Sequence, residues 1–279
     1  MSRHLGPGWV PREHGAWAML VAPVVVGTLL ATPSWRHGLL LVTWLVAYCA
    51  FAAAGLWLRS GRRAGRYLPP LRFHLVTATV LGVALVVSAP GLLRWAPVFA
   101  VLGAASLAAS SRRADRSWLN DGVTVLTACA MTVVSAGLRG GWGSSWLPPG
   151  AGDGTAWVAG ALLVGYFLGT VPYVKTLIRD RGSRRVLAVS IGYHAVLVVT
   201  AAAWLVRVLA AGAAGMDGDR GGGAHNLVMA VVLLAVAAGL LGRAALVPRR
   251  RPWPKPLAIG IGEIAATLIV VTVTVAAVG

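Results

Sequence analysis

The sequence predicts an all-α protein, a polytopic transmembrane helical bundle of about nine spans. Hydrophobic residues make up 57% of the chain and charged residues 12%, about half of the ~25% charged residues usual in a soluble domain. The mean hydropathy is +0.75. The apolar residues fall in runs close to the ~20 residues that a helix needs to cross ~30 Å of hydrocarbon. Helices are the expected form, because they satisfy their own backbone hydrogen bonds in lipid.

Nine apolar runs separated by short polar segments are the predicted spans. The third and fourth are short, and Pro90 and Gly91 between them predict a tight hairpin. The connections at 138–155 and 212–224 are rich in glycine and are typical of flexible linkers. We expect a single multi-pass domain over 1–279. In chain order the spans are about 16–32, 38–58, 74–90, 95–111, 118–137, 156–174, 186–207, 225–247 and 257–278.

The distribution of basic residues predicts how the spans are oriented. One set of alternate connections, together with the amino-terminal segment, holds 20 of the 25 lysine and arginine residues. Loops rich in these residues stay in the cytoplasm. The amino terminus is therefore predicted to be cytoplasmic and the carboxyl terminus outside, in the plasma membrane. The five basic residues on the outer side are Arg36, Arg94, Arg139, Arg207 and Arg220.

The net charge of +17 raises the question of a nucleic-acid partner. The basic residues lie in short loops between apolar runs rather than on a soluble face, so membrane lipid is the expected partner and nucleic acid is not. Cys49 and Cys129 lie inside apolar runs, without the spacing of a metal site. We expect no metal ion and no cofactor.

Polar residues in or beside the spans are the candidate functional residues, because ionisable groups in lipid are costly. Glu13, His14, Asp121 and Glu263 are the candidates for proton chemistry. At 1.5 Å per residue, Asp121, Glu263 and His194 lie ~6, ~9 and ~12 Å from the inner boundary, so the sequence predicts one polar pocket open to the cytoplasm. The candidate ligand-binding residues are Arg12, Trp17, Asn120, Tyr173, Lys175, Arg179, Asp180, Arg181 and His194.

Each candidate also has a purely structural interpretation. Glu13 with His14, and Asn120 with Asp121, suit helix starts. His194 can be a neutral residue bonded to a neighbouring helix. Glu263 can form an ion pair with an arginine. The segment 179–181 can be a solvated loop.

Three segments carry a family resemblance. The string at 11–20 (PREHGAWAML) resembles the opening of the YwiC-like family of bacterial integral membrane proteins. The segments 169–182 (GTVPYVKTLIRDRG) and 117–121 (SWLND) resemble two further blocks of that family. The resemblance implies a membrane location and a multi-pass architecture, and it implies no particular reaction.

The predicted layout is also similar to that of UbiA-type prenyltransferases. Those enzymes have nine helices and a cytoplasmic active site, in which aspartate-rich motifs in loops 2–3 and 6–7 hold magnesium on a diphosphate. Here the segment 59–73 contains no acid and the loop after span six contains only Asp180. Two magnesium ions cannot be held by these loops, whereas arginine and lysine can bind an anionic group without metal.

Three functions remain open from the sequence. The favoured one is a cytoplasm-facing polar pocket for an anionic or isoprenoid-type lipid, with or without catalysis. The second is a small-solute or proton-coupled transporter in which Glu263 and His194 titrate. The third is a structural or assembly protein whose polar residues hold helices together.

Overall fold

The computed structural model describes residues 6–11, 14–143, 145–214 and 220–279. Within these ranges the chain forms nine α-helices and no strand, and each helix overlaps the corresponding predicted span, which confirms the predicted all-α fold class. The helices are α1 (His14–Leu30), α2 (Trp35–Arg59), α3 (Leu68–Ser88), α4 (Ala96–Ser111), α5 (Trp118–Ala136), α6 (Gly154–Ile178), α7 (Arg184–Ala213), α8 (Arg220–Leu246) and α9 (Pro256–Val278).

The lengths of the helices match a membrane. In the described ranges, eight helical segments are long and apolar enough to cross one, and α1 is shorter, with 17 residues. At 1.5 Å per residue α1 is about 26 Å long, slightly less than the ~30 Å hydrocarbon layer. The predicted hairpin between the third and fourth spans is a 3-10 turn, Pro90–Trp95. The protein is a multi-pass membrane protein.

The helices divide into two compact units, Met1–Val164 and Gly165–Gly279, whose boundary falls within α6. The predicted single domain over 1–279 stays a prediction.

The first unit is organised around α5. A glycine, Gly27, brings α1 against the backbone of α5 at Thr132. The Ser135 hydroxyl donates to the Val24 carbonyl at 2.9 Å and lies 3.0 Å from the Thr28 hydroxyl. Since no side chain separates the backbones at Gly27, short hydroxyl bonds join the two helices.

A buried histidine joins α2 to the same part of α5. His37 accepts a bond from the Ser34 backbone N–H at Nδ1 (3.1 Å), and its Nε2 lies 3.2 Å from the Ser135 carbonyl. Because Nδ1 is an acceptor, Nε2 carries the proton and donates to Ser135. Sequence analysis did not select His37, whose role is to bridge two helices.

In the second unit, α7 packs closely on α6 and α8. The Tyr193 hydroxyl donates to the Gly165 carbonyl at 2.9 Å. Gly169 faces the rings of Tyr193 and His194. The short loop from α6 to α7 turns through Gly182, whose φ of +82° is the left-handed conformation that favours glycine. Ser183 then caps α7, accepting from the Val186 N–H at 3.4 Å.

Candidate functional site

The structure describes the candidate residues of the opening string at 11–20 only in part. Arg12 and Glu13 lie outside the described residues. His14 begins α1, and its side chain is not described. Trp17 lies in α1 and makes an edge-on contact with Tyr48 of α2, with ring centroids 6.0 Å apart.

Asn120 and Asp121 lie in the first turn of α5, in the first unit. The cap itself is Ser117, whose hydroxyl accepts from the Asn120 N–H at 3.3 Å. The Asn120 side chain donates to the Asp115 carbonyl at 2.6 Å and so ties the preceding loop to the helix. These bonds are those expected of a helix start.

The other predicted residues lie in the second unit. Tyr173 is buried in the last two turns of α6, Lys175 follows it, and the segment 179–181 is exposed in the loop to α7. His194 and Glu263 are buried in α7 and α9. A pocket shared by Glu13, Asp121, Tyr173 and Glu263 stays a prediction, because these residues are divided between undescribed positions and two separate units.

Glu263 forms a buried ion pair with a residue that sequence analysis did not select. Arg243 of α8 donates to Glu263 Oε1 over 2.6 Å, and the two side chains are 16% and 8% exposed. The Arg243 guanidinium also lies over the ring of Tyr173, with Cζ 4.2 Å from its centroid. This cluster of Tyr173, Arg243 and Glu263, here called the arginine–glutamate cluster, joins α6, α8 and α9.

The cluster leaves part of its hydrogen-bonding capacity unused. Arg243 Nε, Arg243 Nη2 and Glu263 Oε2 are buried and have no hydrogen-bond partner among the described residues. A buried polar atom without a partner costs roughly 1–3 kcal/mol, and more when it is charged. The ion pair is therefore held with fewer bonds than its groups can make.

Two further polar side chains extend the cluster along α9. The Tyr166 hydroxyl lies 3.1 Å from Thr267 Oγ1 and 3.4 Å from the Glu263 carbonyl. Thr267 itself donates to that carbonyl at 2.8 Å. These bonds hold the helix turn that carries Glu263 against α6.

His194 has a local partner. Its Nδ1 lies 2.7 Å from the carbonyl of Ser190, one turn earlier in α7, so this nitrogen carries a proton and donates to that carbonyl. Gly169 of α6 packs against the other side of the ring. Among the described residues, the hydrogen-bond partner of the His194 ring is the Ser190 carbonyl and that of the Glu263 carboxylate is Arg243. The titrating Glu263–His194 pair stays a hypothesis.

A cavity of about 250 Å³ lies in the second unit where the loop from α6 to α7 meets the connection from α8 to α9. Three arginines line it, and none of the described residues in its wall is acidic. Its wall also includes the turn at Gly182 and the N-cap of α7. The lining residues are Thr176, Gly182, Ser183, Arg184, Leu187, Pro248, Arg249, Arg251 and Trp253.

Trp253 organises the arginines at one side of this cavity. The guanidinium of Arg251 lies over its ring at 3.8 Å from the centroid, and that of Arg181 at 5.8 Å. Arg181 also donates from Nε to the Leu177 carbonyl, at the end of α6. The contact between Arg181 and Trp253 thereby joins the two loops. Arg181 is the predicted binding residue that makes a cation–π contact with the cavity wall, through Trp253.

In the sequence, the arginines of this cavity indicate only the orientation of the spans. Arg184, Arg249 and Arg251 belong to the basic connections, and nothing in their spacing distinguishes them from other loop arginines. Arg243 could have been found, because it is the one basic residue in the last turn of α8 and Glu263 required a partner.

The fold and the site define a helical multi-pass membrane protein with a buried charge pair and an arginine-lined cavity. A model of the YwiC-like protein family matches residues 10–136. The uncharacterized protein YwiC of Bacillus subtilis (strain 168) is 30% identical over 193 residues, which cover 67% of this chain and 74% of that protein. The chain belongs to the YwiC-like family.

The comparisons bear differently on the two units. The family match at 10–136 lies within the first unit, whereas the cavity and the arginine–glutamate cluster lie beyond it. No solved structure matches the chain. The UbiA-like layout therefore stays a prediction.

Proposed function

We propose that the second unit binds the phosphate group of an anionic lipid in its arginine-lined cavity. The observation that carries the proposal is the cavity itself, with Arg184, Arg249 and Arg251 in its wall and no acid among the described lining residues. Arginine offers several N–H donors in a planar fork that matches phosphate geometry. A wall with three positive charges and no acid among the described lining residues attracts an anion.

The level of the cavity supports a lipid as the source of that phosphate. It lies where the apolar helices α6 and α8 end and α7 and α9 begin, which is the depth of lipid head groups in a spanning bundle. Leu187, Pro248 and Trp253 add apolar surface to the wall. Tryptophan is typical of this interfacial level.

The orientation belongs to the same proposal. The loops that form the cavity are among the arginine-rich connections, so the positive-inside rule directs them to the cytoplasm. The amino terminus is then cytoplasmic, the carboxyl terminus is outside, and the membrane is the bacterial plasma membrane. Labelling single cysteines with a membrane-impermeant maleimide tests this: position 179 should react only after the cells are opened, and position 148 in intact cells.

The binding test uses the purified full chain in a non-ionic detergent. Short-chain phosphatidic acid, the matched phosphatidylcholine and inorganic pyrophosphate are titrated separately into wild type and into Arg184→Gln/Arg251→Gln. The control, Arg139→Gln/Arg207→Gln, removes the same charge at positions outside the cavity wall. Wild type and control should bind phosphatidic acid at least tenfold more tightly than phosphatidylcholine.

The cavity variant should lose at least tenfold in phosphatidic acid affinity, because each lost charge-assisted bond is worth roughly 1.5–3 kcal/mol. Equal losses in the cavity variant and the control would contradict a site at the cavity. Pyrophosphate binding as tight as that of phosphatidic acid would contradict the lipid and leave a soluble phosphate as the ligand.

A further inference from the structure

We infer that Arg243 is a mobile ligand of the cavity, which leaves Glu263 when a phosphate group enters and returns when the phosphate departs. The inference rests on the proposed function, because it concerns how the same cavity takes its anion. In this inference, the buried ion pair holds one additional guanidinium that can bind the phosphate. Glu263 then competes with the phosphate for one guanidinium.

Arg243 lies in the chain just before a segment that forms part of the cavity wall. It lies in the last turn of α8, and the 3-10 turn Val247–Arg249 that follows carries two lining residues, Pro248 and Arg249. Five residues of helical rise separate Arg243 from Pro248, about 7.5 Å. Long basic side chains reach polar surroundings across distances of this order.

The stacking partner of Arg243 is joined directly to the wall. Thr176, which lines the cavity, donates its hydroxyl to the Tyr173 carbonyl at 2.6 Å. Arg243 lies over the ring of the same Tyr173. The cluster and the cavity therefore share the last two turns of α6.

The bonding state of Arg243 favours exchange. Only Nη1 donates to the carboxylate, while Nε and Nη2 have no hydrogen-bond partner among the described residues and the ring of Tyr173 covers the guanidinium. A phosphate offers several acceptor oxygens to the same fork. Glu263 Oε2 also lacks a described hydrogen-bond partner, so the carboxylate holds Arg243 by one bond rather than two.

The test titrates inorganic pyrophosphate and short-chain phosphatidic acid into the full chain carrying Glu263→Gln or Glu263→Asp. Glu263→Gln removes the competitor, and we expect both ligands to bind at least tenfold more tightly, because Arg243 then reaches the phosphate without breaking a charge-assisted bond or leaving a buried carboxylate alone. Glu263→Asp keeps the charge and shortens its reach to Arg243, and we expect a gain of about threefold. Asp153→Asn, which also removes one negative charge and lies outside the cavity wall, serves as the control for the change in net charge.

The two variants separate the possible outcomes. A gain in both supports the exchange. A gain in Glu263→Gln alone overturns it, since a through-space effect of charge would explain that result, and unchanged affinity in both overturns it as well. The proposed function stands or falls separately, on the loss of binding in Arg184→Gln/Arg251→Gln. Glu263→Asp keeps the carboxylate, so it provides the measurement if Glu263→Gln does not fold.

Discussion

The two units each contain a short ion pair, and the surroundings of the two pairs are opposite. Arg59 and Asp115 in the first unit are 2.7 Å apart, with side chains 35% and 23% exposed. Arg243 and Glu263 in the second unit are 2.6 Å apart and 16% and 8% exposed. The first pair joins loop ends that reach water, and the second lies within the helices of a membrane protein.

The difference shows which of the two pairs is a functional candidate. A partly exposed pair contributes little, because water already stabilises both charges. A buried pair has lost that water and depends on its partner. The second pair also retains unused donors and an unused acceptor, which makes it the better candidate for a change of partner.

The largest effect is expected from breaking the buried pair. Arg243→Gln leaves Glu263 buried without its counter-charge, and we expect the free energy of unfolding to fall by roughly 3–5 kcal/mol. Reversible unfolding in SDS, followed by circular dichroism, measures this. Arg243→Gln/Glu263→Gln should recover much of the loss, and a double variant as unstable as the single one would contradict an ion-pair origin.

The next largest loss of stability is expected at Gly27, where α1 contacts the backbone of α5. Gly27→Ala places a Cβ against the Thr132 carbonyl and within 2.7 Å of Ser135 Cβ, so the backbones of α1 and α5 must separate. We expect a loss of roughly 2–3 kcal/mol in the same unfolding assay. Gly103→Ala, where a Cβ would meet nothing within 4 Å, is the matched control and should be near wild type.

A smaller effect is expected at the equivalent contact of the second unit. At Gly169 an added Cβ would lie 3.0 to 3.1 Å from atoms of the Tyr193 and His194 side chains. Side chains adjust more readily than backbone, so Gly169→Ala should cost about 1 kcal/mol. A loss as large as that of Gly27→Ala would mean that α6 and α7 are as tightly constrained as α1 and α5.

The smallest effect is expected at the exposed pair. Asp115→Asn removes the partner of Arg59, and the expected loss is about 0–1 kcal/mol, reduced further at high salt. The unfolding assay at 0.05 and 0.5 M salt checks both parts. A loss near that of Arg243→Gln would remove the contrast between the two pairs.

Most of the fold could be predicted because hydrophobic run length alone determines where a helix crosses lipid. Glu263 could likewise be selected as a residue in need of a partner, since a lone acid in an apolar run has few alternatives. Its partner is Arg243, the one basic residue in the last turn of α8, which the sequence offers as a candidate partner without showing that α8 and α9 meet there. Which helices meet is set by packing, and sequence spacing does not record it.

The cavity was beyond sequence reasoning for a related reason. Arg184 and Arg251 lie far apart in the chain and converge only because α7 starts and α8 ends at the same place. Arg181 was selected from the sequence, and it borders the cavity through Trp253. His37, by contrast, carried no signal beyond being a polar residue near the start of α2, and its two bonds identify it as structural.

Lipid binding by the arginine-lined cavity is tested most directly by identifying the lipid that the purified protein retains. Native mass spectrometry of the full chain, purified in a mild non-ionic detergent, compares wild type with Arg184→Gln/Arg251→Gln and with the charge-matched control Arg139→Gln/Arg207→Gln. If the cavity binds a lipid phosphate, a phosphate-bearing lipid stays bound to wild type and control and is lost from the cavity variant. The same bound lipid at the same occupancy in all three proteins would contradict it.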